Sequence, residues 1–323
     1  MKRSIFILAS SLFLLAACGV SPTADSECDK AQFVDHVIVD VPVQQGTTVM
    51  PGTLFTKTWE VVNNGSCNWI ADYALVHSEG DAMGVADGEV ALPSVVSPGQ
   101  TVDISVPMVA PLAAGSYASE WMFRNADGEI FGVGPEGDRP LTAEIVVPEL
   151  PEGVIYDFSQ VVCLAQWHSN RATFLPCEGE DDEEGILNGY VRLNAEPAIE
   201  GSTRDNPPVI EVKPNNQPNG WLAGFFPSIT IRDGDRFLAT VGCLEEFPDC
   251  SVIFRLDYEL EDGTHATLSE IPQVFDDEPG DLDVDLSGLS GQNVTLVLVI
   301  LENGGRSVEA RGYWLDARVE GTR

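Results

Sequence analysis

Residues 252–264 read V-I-F-R-L-D-Y-E-L-E-D-G-T, a long run that ends in a turn. Val252, Phe254, Leu256, Tyr258 and Leu260 fall on one face of it. A period of two is the mark of a strand with one side buried, because successive side chains point to opposite faces. E-D-G-T at 261–264 supplies the hairpin-type turn. The same period recurs on the C-terminal side, in Leu282/Val284/Leu286, in Val294/Leu296/Leu298/Ile300 and in Tyr313/Leu315/Ala317/Val319. On the N-terminal side, I-T-I at 229–231 and R-D-G-D precede Phe237, Ala239 and Val241. Further back come Val102/Ile104/Val106 and Tyr117/Trp121/Phe123, with turn sequences N-N-G-S at 63–66 and N-A-D-G at 125–128. No stretch carries an apolar period of 3.6. Gly 30 and Pro 21 also favour short strands and turns. The chain therefore reads as all-β, an N-terminal Ig-like sandwich followed by a second sandwich of jelly-roll size.

Two prolines, two acids and a glycine in V-P-E-L-P-E-G, 147–153, mark the break. The first domain is placed at 28–148, a linker at 149–153 and the second domain at 154–321. The acidic run E-G-E-D-D-E-E-G, 178–185, is expected to be a solvated loop because its carboxylates repel. The proline- and asparagine-rich stretch 206–220 is expected to be a second long loop.

Lys2 and Arg3 precede an apolar run from Ile5 to Ala17, too short for an ordinary membrane span. It ends in L-A-A-C-G at 15–19, which resembles the bacterial lipobox. The resemblance implies a signal peptide over 1–18, cleaved before Cys18, with diacylglycerol on the Cys18 sulfur. Residues 19–27, G-V-S-P-T-A-D-S-E, then form a polar tether. The expected location is extracytoplasmic, lipid-anchored at a bacterial cell membrane or outer envelope. Acyl chains would supply the hold on the membrane, since a formal charge of −34 repels anionic headgroups and nucleic acid alike.

Six cysteines remain after Cys18: Cys28, Cys67, Cys163, Cys177, Cys243 and Cys250. An even count in an exported chain reads as disulfides. Proximity favours 28–67, 163–177 and 243–250, at about 2.5–4 kcal/mol each. A zinc site finds no support, since no C-x-x-C occurs and the four histidines are scattered.

The segments K-T-W-E-V-V-N-N-G-S-C-N-W, 57–69, and G-S-Y-A-S-E-W-M-F-R-N-A-D-G-E-I-F-G, 115–132, together with P-G-T-L-F at 51–55 and S-P-G-Q at 97–100, resemble a known family. It is the four-tryptophan (FW) Ig-like domain of Nbr-type selective autophagy receptors, which also occurs in bacterial exported proteins. Trp59, Trp69 and Trp121 match three of the four tryptophans. The fourth is expected soon after Phe131–Gly132, where the chain reads V-G-P-E-G-D-R-P-L-T-A-E-I-V-V without one. The resemblance implies an Ig-like sandwich and a role in protein contact. Cys28–Cys67 would staple its N-terminal strand to the N-G-S-C turn. Trp59 and Trp121 sit on apolar faces and read as core, whereas Trp69, beside a turn and a cysteine, is expected to be partly exposed.

No catalytic residue is singled out. Among the many carboxylates, none lies in an apolar context that would raise its pKa for acid–base work. Trp167-His168-Ser169 lacks a G-x-S-x-G partner, and no glycine-rich phosphate loop occurs. Asp281, Asp283 and Asp285 alternate with Leu282, Val284 and Leu286, so they share one outward face. They read as a solvated acidic face and only weakly as calcium ligands, without the D-x-[DN]-x-[DN]-G spacing. Asp233 and Asp235 read as a turn. No cofactor is implied. Of Trp167, Tyr190, Trp221, Phe225, Phe226 and Trp314, the preferred platform for a sugar ring is Trp221, bounded by turn residues in N-G-W-L-A-G-F-F-P, with Trp314 second. The function expected is a non-enzymatic, membrane-anchored surface lipoprotein, binding protein through the first domain and glycan through the second. The alternative is a structural or assembly component of the envelope.

Overall fold

The computed structural model describes residues 28–37, 46–85, 88–202 and 206–322. The strands of the N-terminal half are β1 (Ala31–Val37), β2 (Thr47–Thr48), β3 (Leu54–Asn63), β4 (Ala74–Gly80), β5 (Glu89–Ala91), β6 (Thr101–Val109), β7 (Gly115–Arg124), β8 (Ile130–Phe131) and β9 (Leu141–Val147). One sheet has the order β1-β3-β6. The other runs β2-β9-β7-β4-β5, with β8 on β7. Strand β6 alternates as expected: Val102, Ile104, Val106 and Met108 are buried, and Thr101, Asp103, Ser105 and Pro107 are exposed. The facing strand β7 sends Trp121 and Phe123 into the same core, where they meet Trp59 from β3.

In the C-terminal half, β10 (Val154–Asp157), β11 (Gln166–Ser169), α1 (Glu183–Asn188), β12 (Tyr190–Asn194), β13 (Val209–Lys213) and β14 (Trp221–Phe225) come first. They are followed by β15 (Ile229–Thr230), β16 (Arg236–Cys243), β17 (Ser251–Leu260), β18 (His265–Val274), β19 (Gly280–Asp285), β20 (Asn293–Glu302) and β21 (Gly312–Glu320). Two antiparallel sheets result, β12-β13-β21-β16-β19 with β10 on β21, and β11-β14-β20-β17-β18 with β15 on β20. Phe158, Trp167, Phe226, Phe237, Phe254 and Trp314 fill the space between them. Gly224 on β14 is needed for this packing, because a Cβ there would lie 2.6 Å from the Trp167 ring.

Two expected loops are partly regular structure. Within 206–220 the chain forms β13, whose five residues are all buried. Ile210 and Val212 face the core, and the prolines at 207, 208 and 214 flank the strand without interrupting it. Within 178–185 the acidic run starts α1, where Asp182 accepts a hydrogen bond from the Gly185 N–H and Glu183 and Glu184 occupy the first turn. Acids are favoured there by the free N–H groups and dipole of the helix start, which offsets their mutual repulsion.

Disulfides join Cys28 to Cys67, Cys163 to Cys177 and Cys243 to Cys250. The two halves touch. Met50 is part of the C-terminal core, and Leu164 packs against both cores.

Candidate binding cleft

The outward face of β14 builds the site. Leu222 and Gly224 point inward, so Trp221, Ala223 and Phe225 point out. Hydrogen-bond register sets Leu301, Val299 and Val297 of β20 beside them in that order. Ala223, Val297 and Val299 are buried although they face away from the core, with Trp221, Phe225 and Leu301 packed over them. On the other side of β14, β11 presents Gln166 and His168 next to Phe225 and Ala223. The His168 ring meets Phe225 edge-on at 5.4 Å and Phe174 at 5.1 Å. Burial holds its pKa below the usual histidine value, so the ring is neutral at pH 7. Beyond β20, Arg255 grips Asp257 of β17 with two hydrogen bonds of 2.8 and 2.7 Å. His265 lies 3.2 Å from the same carboxylate, which is only 1% exposed.

Of these, Trp221, Phe225, Gln166 and His168 line a cleft of about 770 Å³. Half-buried Trp221 and Phe225 give it aromatic surface, and Gln166, Glu259, Asn293 and Thr295 give it polar groups. The far side comes from the N-terminal half, from Leu54 and Thr56 of β3 and Pro107 of β6. On the opposite sheet a smaller cavity of about 280 Å³ lies beside Tyr190 at the start of β12, lined by the acidic run and α1. There Glu211 is buried under hydrogen bonds from Tyr190 (2.7 Å), Arg192 (2.8 Å) and Asn194 (2.8 Å). Arg311 stacks 4.3 Å over Phe247 and pairs with Asp181.

Trp221, the preferred platform residue, is half-buried and lines this cleft. Trp314 does not: it is 1% exposed and stacked edge-on against Phe254 at 5.1 Å. Its out-of-phase neighbour Tyr313 is buried as well, because Ile199 and Leu244 cover the outer face of β21. Trp69 is likewise fully buried, against the expectation of partial exposure. An antiparallel bridge to Val96 turns its ring inward, 5.0 Å from Phe123 and 6.1 Å from Phe131. Trp59 donates to the Thr142 carbonyl and Trp121 to the Ser119 hydroxyl, both from within the core.

The three aspartates of β19 do not converge on an ion site. Asp283 pairs with Arg236 at 2.7 Å, Asp281 accepts from the Thr240 hydroxyl, and Asp285 accepts from the Ser287 N–H. Among the described residues one group of potential ligands is close enough for a metal, Cys163, Cys177 and Glu178, and its two sulfurs are joined to each other. Trp167 and Ser169 face inward while His168 faces out, so this triplet gathers no reactive site. Cys18 and the tether lie outside the described residues. Sequence reading missed Leu54, Thr56, Pro107, Gln166, Glu259, Asn293 and Thr295. The signal available was the outward phase of β14 and β20, since Trp221-x-Ala-x-Phe225 alternates as regularly as the core positions do.

The N-terminal half is a two-sheet Ig-like sandwich. Residues 42–147, about a third of the chain, match the family described as the Ig-like domain from next to BRCA1 gene. Protein ILRUN of Danio rerio is 32% identical over 95 residues, 29% of this chain and 33% of that protein. The Protein NBR1 homolog of Arabidopsis thaliana is 32% identical over 111 residues, 34% of this chain and 16% of that one. The human Next to BRCA1 gene 1 protein is 32% identical over 103 residues, 32% of this chain and 10% of its own length. The chain therefore matches a third or less of these relatives. Among solved structures, a carbohydrate-binding module of the β-sandwich superfamily superposes with TM-score 0.35 and 9% identity, over 91% of this chain and 100% of that one. The CBM22-1–CBM22-2 tandem of Paenibacillus barcinonensis Xyn10C gives TM-score 0.34 and 10% identity, over 92% and 99%.

Proposed function

We propose that this protein is a non-catalytic binding protein, moored to the outside of a bacterial membrane through a lipid on Cys18, and that its cleft holds a glycan. The Ig-like half serves as a rigid scaffold for protein contact. One observation carries the glycan reading: Trp221 and Phe225 sit half-buried on the outward face of β14, inside a cleft that also offers amide, hydroxyl and carboxylate groups. Flat aromatic rings stack on the C–H faces of sugars, and a few placed polar groups fix orientation. Trp221→Ala removes the platform while leaving the core residues Leu222 and Phe226 untouched.

The test is a screen of the mature protein against immobilised glycans. Saturable binding by the wild type, lost in Trp221→Ala, is the expected result. Failure of every glycan to bind overturns the reading. Mooring is tested by mass spectrometry of the N-terminal peptide from a bacterial host. A diacylglyceryl mass on Cys18 is expected, and a free thiol there refutes it.

A further inference from the structure

The cleft is not the property of one sandwich. Leu54, 40% exposed, and Thr56 project from the outer face of β3, and Thr56 pairs in register with exposed Pro107 on β6. These three line the same cleft as the β14 aromatics. Leu164 and Met50 tie the two cores together, so the far wall is held by packed side chains. Trp221 and Phe225 are four residues apart on one strand, about 13 Å at the usual strand rise. With a volume of about 770 Å³ between them and the opposite wall, the cleft holds several linked rings.

Charge narrows the ligand. Glu259 and Glu261 edge the cleft, and among the described residues lining it there is no lysine or arginine. Arg255, which faces the same way from β17, is committed to Asp257. His168 is neutral at pH 7, as described above. An anionic chain would meet carboxylates with no compensating cation, on a protein of formal charge −34.

We propose that the cleft takes an internal segment of an uncharged polysaccharide, seated on Trp221 and Phe225 and walled on its far side by Leu54, Thr56 and Pro107 of the Ig-like half. This rests on the glycan reading and adds the ligand's charge, its extended form and the second wall.

Calorimetric titration of the full mature protein tests it, with disaccharides and hexasaccharides of the cello-, xylo- and galacto-series and with a galacturonate hexasaccharide. The wild type binds an uncharged hexasaccharide at least ten-fold more tightly than its disaccharide, and binds the galacturonate without saturation. Leu54→Asp and Thr56→Arg each weaken the hexasaccharide at least ten-fold and change the disaccharide by less than two-fold. Trp221→Ala abolishes both. Leu54 and Thr56 lie on an outer face, so unchanged melting temperatures are expected, and Thr56→Arg decides the matter should Leu54→Asp misfold. Loss of binding in Trp221→Ala, with wild-type hexasaccharide affinity in both wall variants, overturns the second wall and leaves the glycan reading standing. Equal affinity for the galacturonate overturns the assignment of an uncharged chain. No saturable binding by the wild type overturns both readings.

Discussion

Lys213 is fully buried on β13, where its ammonium donates to the Ile186 carbonyl at 3.2 Å and the Pro214 carbonyl at 3.0 Å. Burial, with a further push from Arg311, lowers its pKa from 10.5 to about 8, against a pull from Asp181. Lys57 on β3 is 2% exposed, lies 6.0 Å from the Trp59 ring, and burial brings it to about 8 as well. Between pH 8 and 10.5 the unfolded chain keeps these protons while the folded one has released them. Stability therefore rises with pH across that window. Each lysine costs the folded state about 3 kcal/mol at pH 8 and about 1 kcal/mol at pH 10. The pair should thus add about 4 kcal/mol over two pH units. Above pH 10 the sign reverses. Burial raises the pKa of Tyr73, Tyr156, Tyr190 and Tyr313, so the unfolded chain loses phenolic protons that the folded one retains. Urea unfolding at pH 7, 8, 9 and 10, with disulfides intact and high salt to screen the net charge of −34, reads the effect. Lys213→Met should remove about 2 kcal/mol of the rise. A wild-type midpoint that falls steadily from pH 8 to 10, with the same slope in Lys213→Met, refutes the reasoning.

Gly224→Ala places a methyl group against the Trp167 ring, and a loss of about 1–3 kcal/mol in urea unfolding is expected; an unchanged midpoint would show that the indole has room to shift. The Cys28–Cys67 pair closes a separation of 39 residues, and the double serine variant should lose about 4 kcal/mol by the loop-entropy relation. Calcium at 1 mM and its removal by chelator should leave the melting temperature unchanged within about 1 °C, because Asp281, Asp283 and Asp285 are spent on Thr240, Arg236 and Ser287 respectively. A rise of several degrees with calcium would show an ion site elsewhere in the chain.

What could be read from the chain was periodicity. Strand β6 keeps its two-residue rhythm throughout and buries the apolar member of each pair, whereas β21 breaks it: a bulge at Asp316 puts Trp314, Ala317 and Val319 on the core face and leaves Tyr313 and Leu315 on the outer one, so the face expected for Tyr313, Leu315, Ala317 and Val319 is not continuous. Strand β13 was hidden because Glu211 and Lys213 look like loop residues; each is buried under partners from β12 or α1 that no local pattern predicts. Trp69 and Trp314 were misjudged because local pattern did not give their direction: a bridge to Val96 carries Trp69 inward, and the bulge at Asp316 shifts the phase of β21 so that Trp314 shares the core face with Ala317 and Val319. The cleft is the extreme case. Trp221 was visible as an aromatic between turn residues, but the wall opposite comes from Leu54, Thr56 and Pro107, and only the docking of two sandwiches brings them face to face.

The bond between Cys28 and Cys67 also alters how the molecule carries load. A pull on the chain ahead of Cys28, relayed toward the C-terminus, crosses at the sulfur atoms and bypasses everything between the two cysteines. Strands β1, β2 and β3 then bear no tension, and the three-stranded sheet cannot be peeled from its leading edge. Stretched to breakage of the fold, the chain would come up short by 39 residues of slack, or about 140 Å. Reduction would restore that length and let β1 unzip first, so a single thiol exchange sets whether the sandwich gives way at its rim or has to shear through its middle.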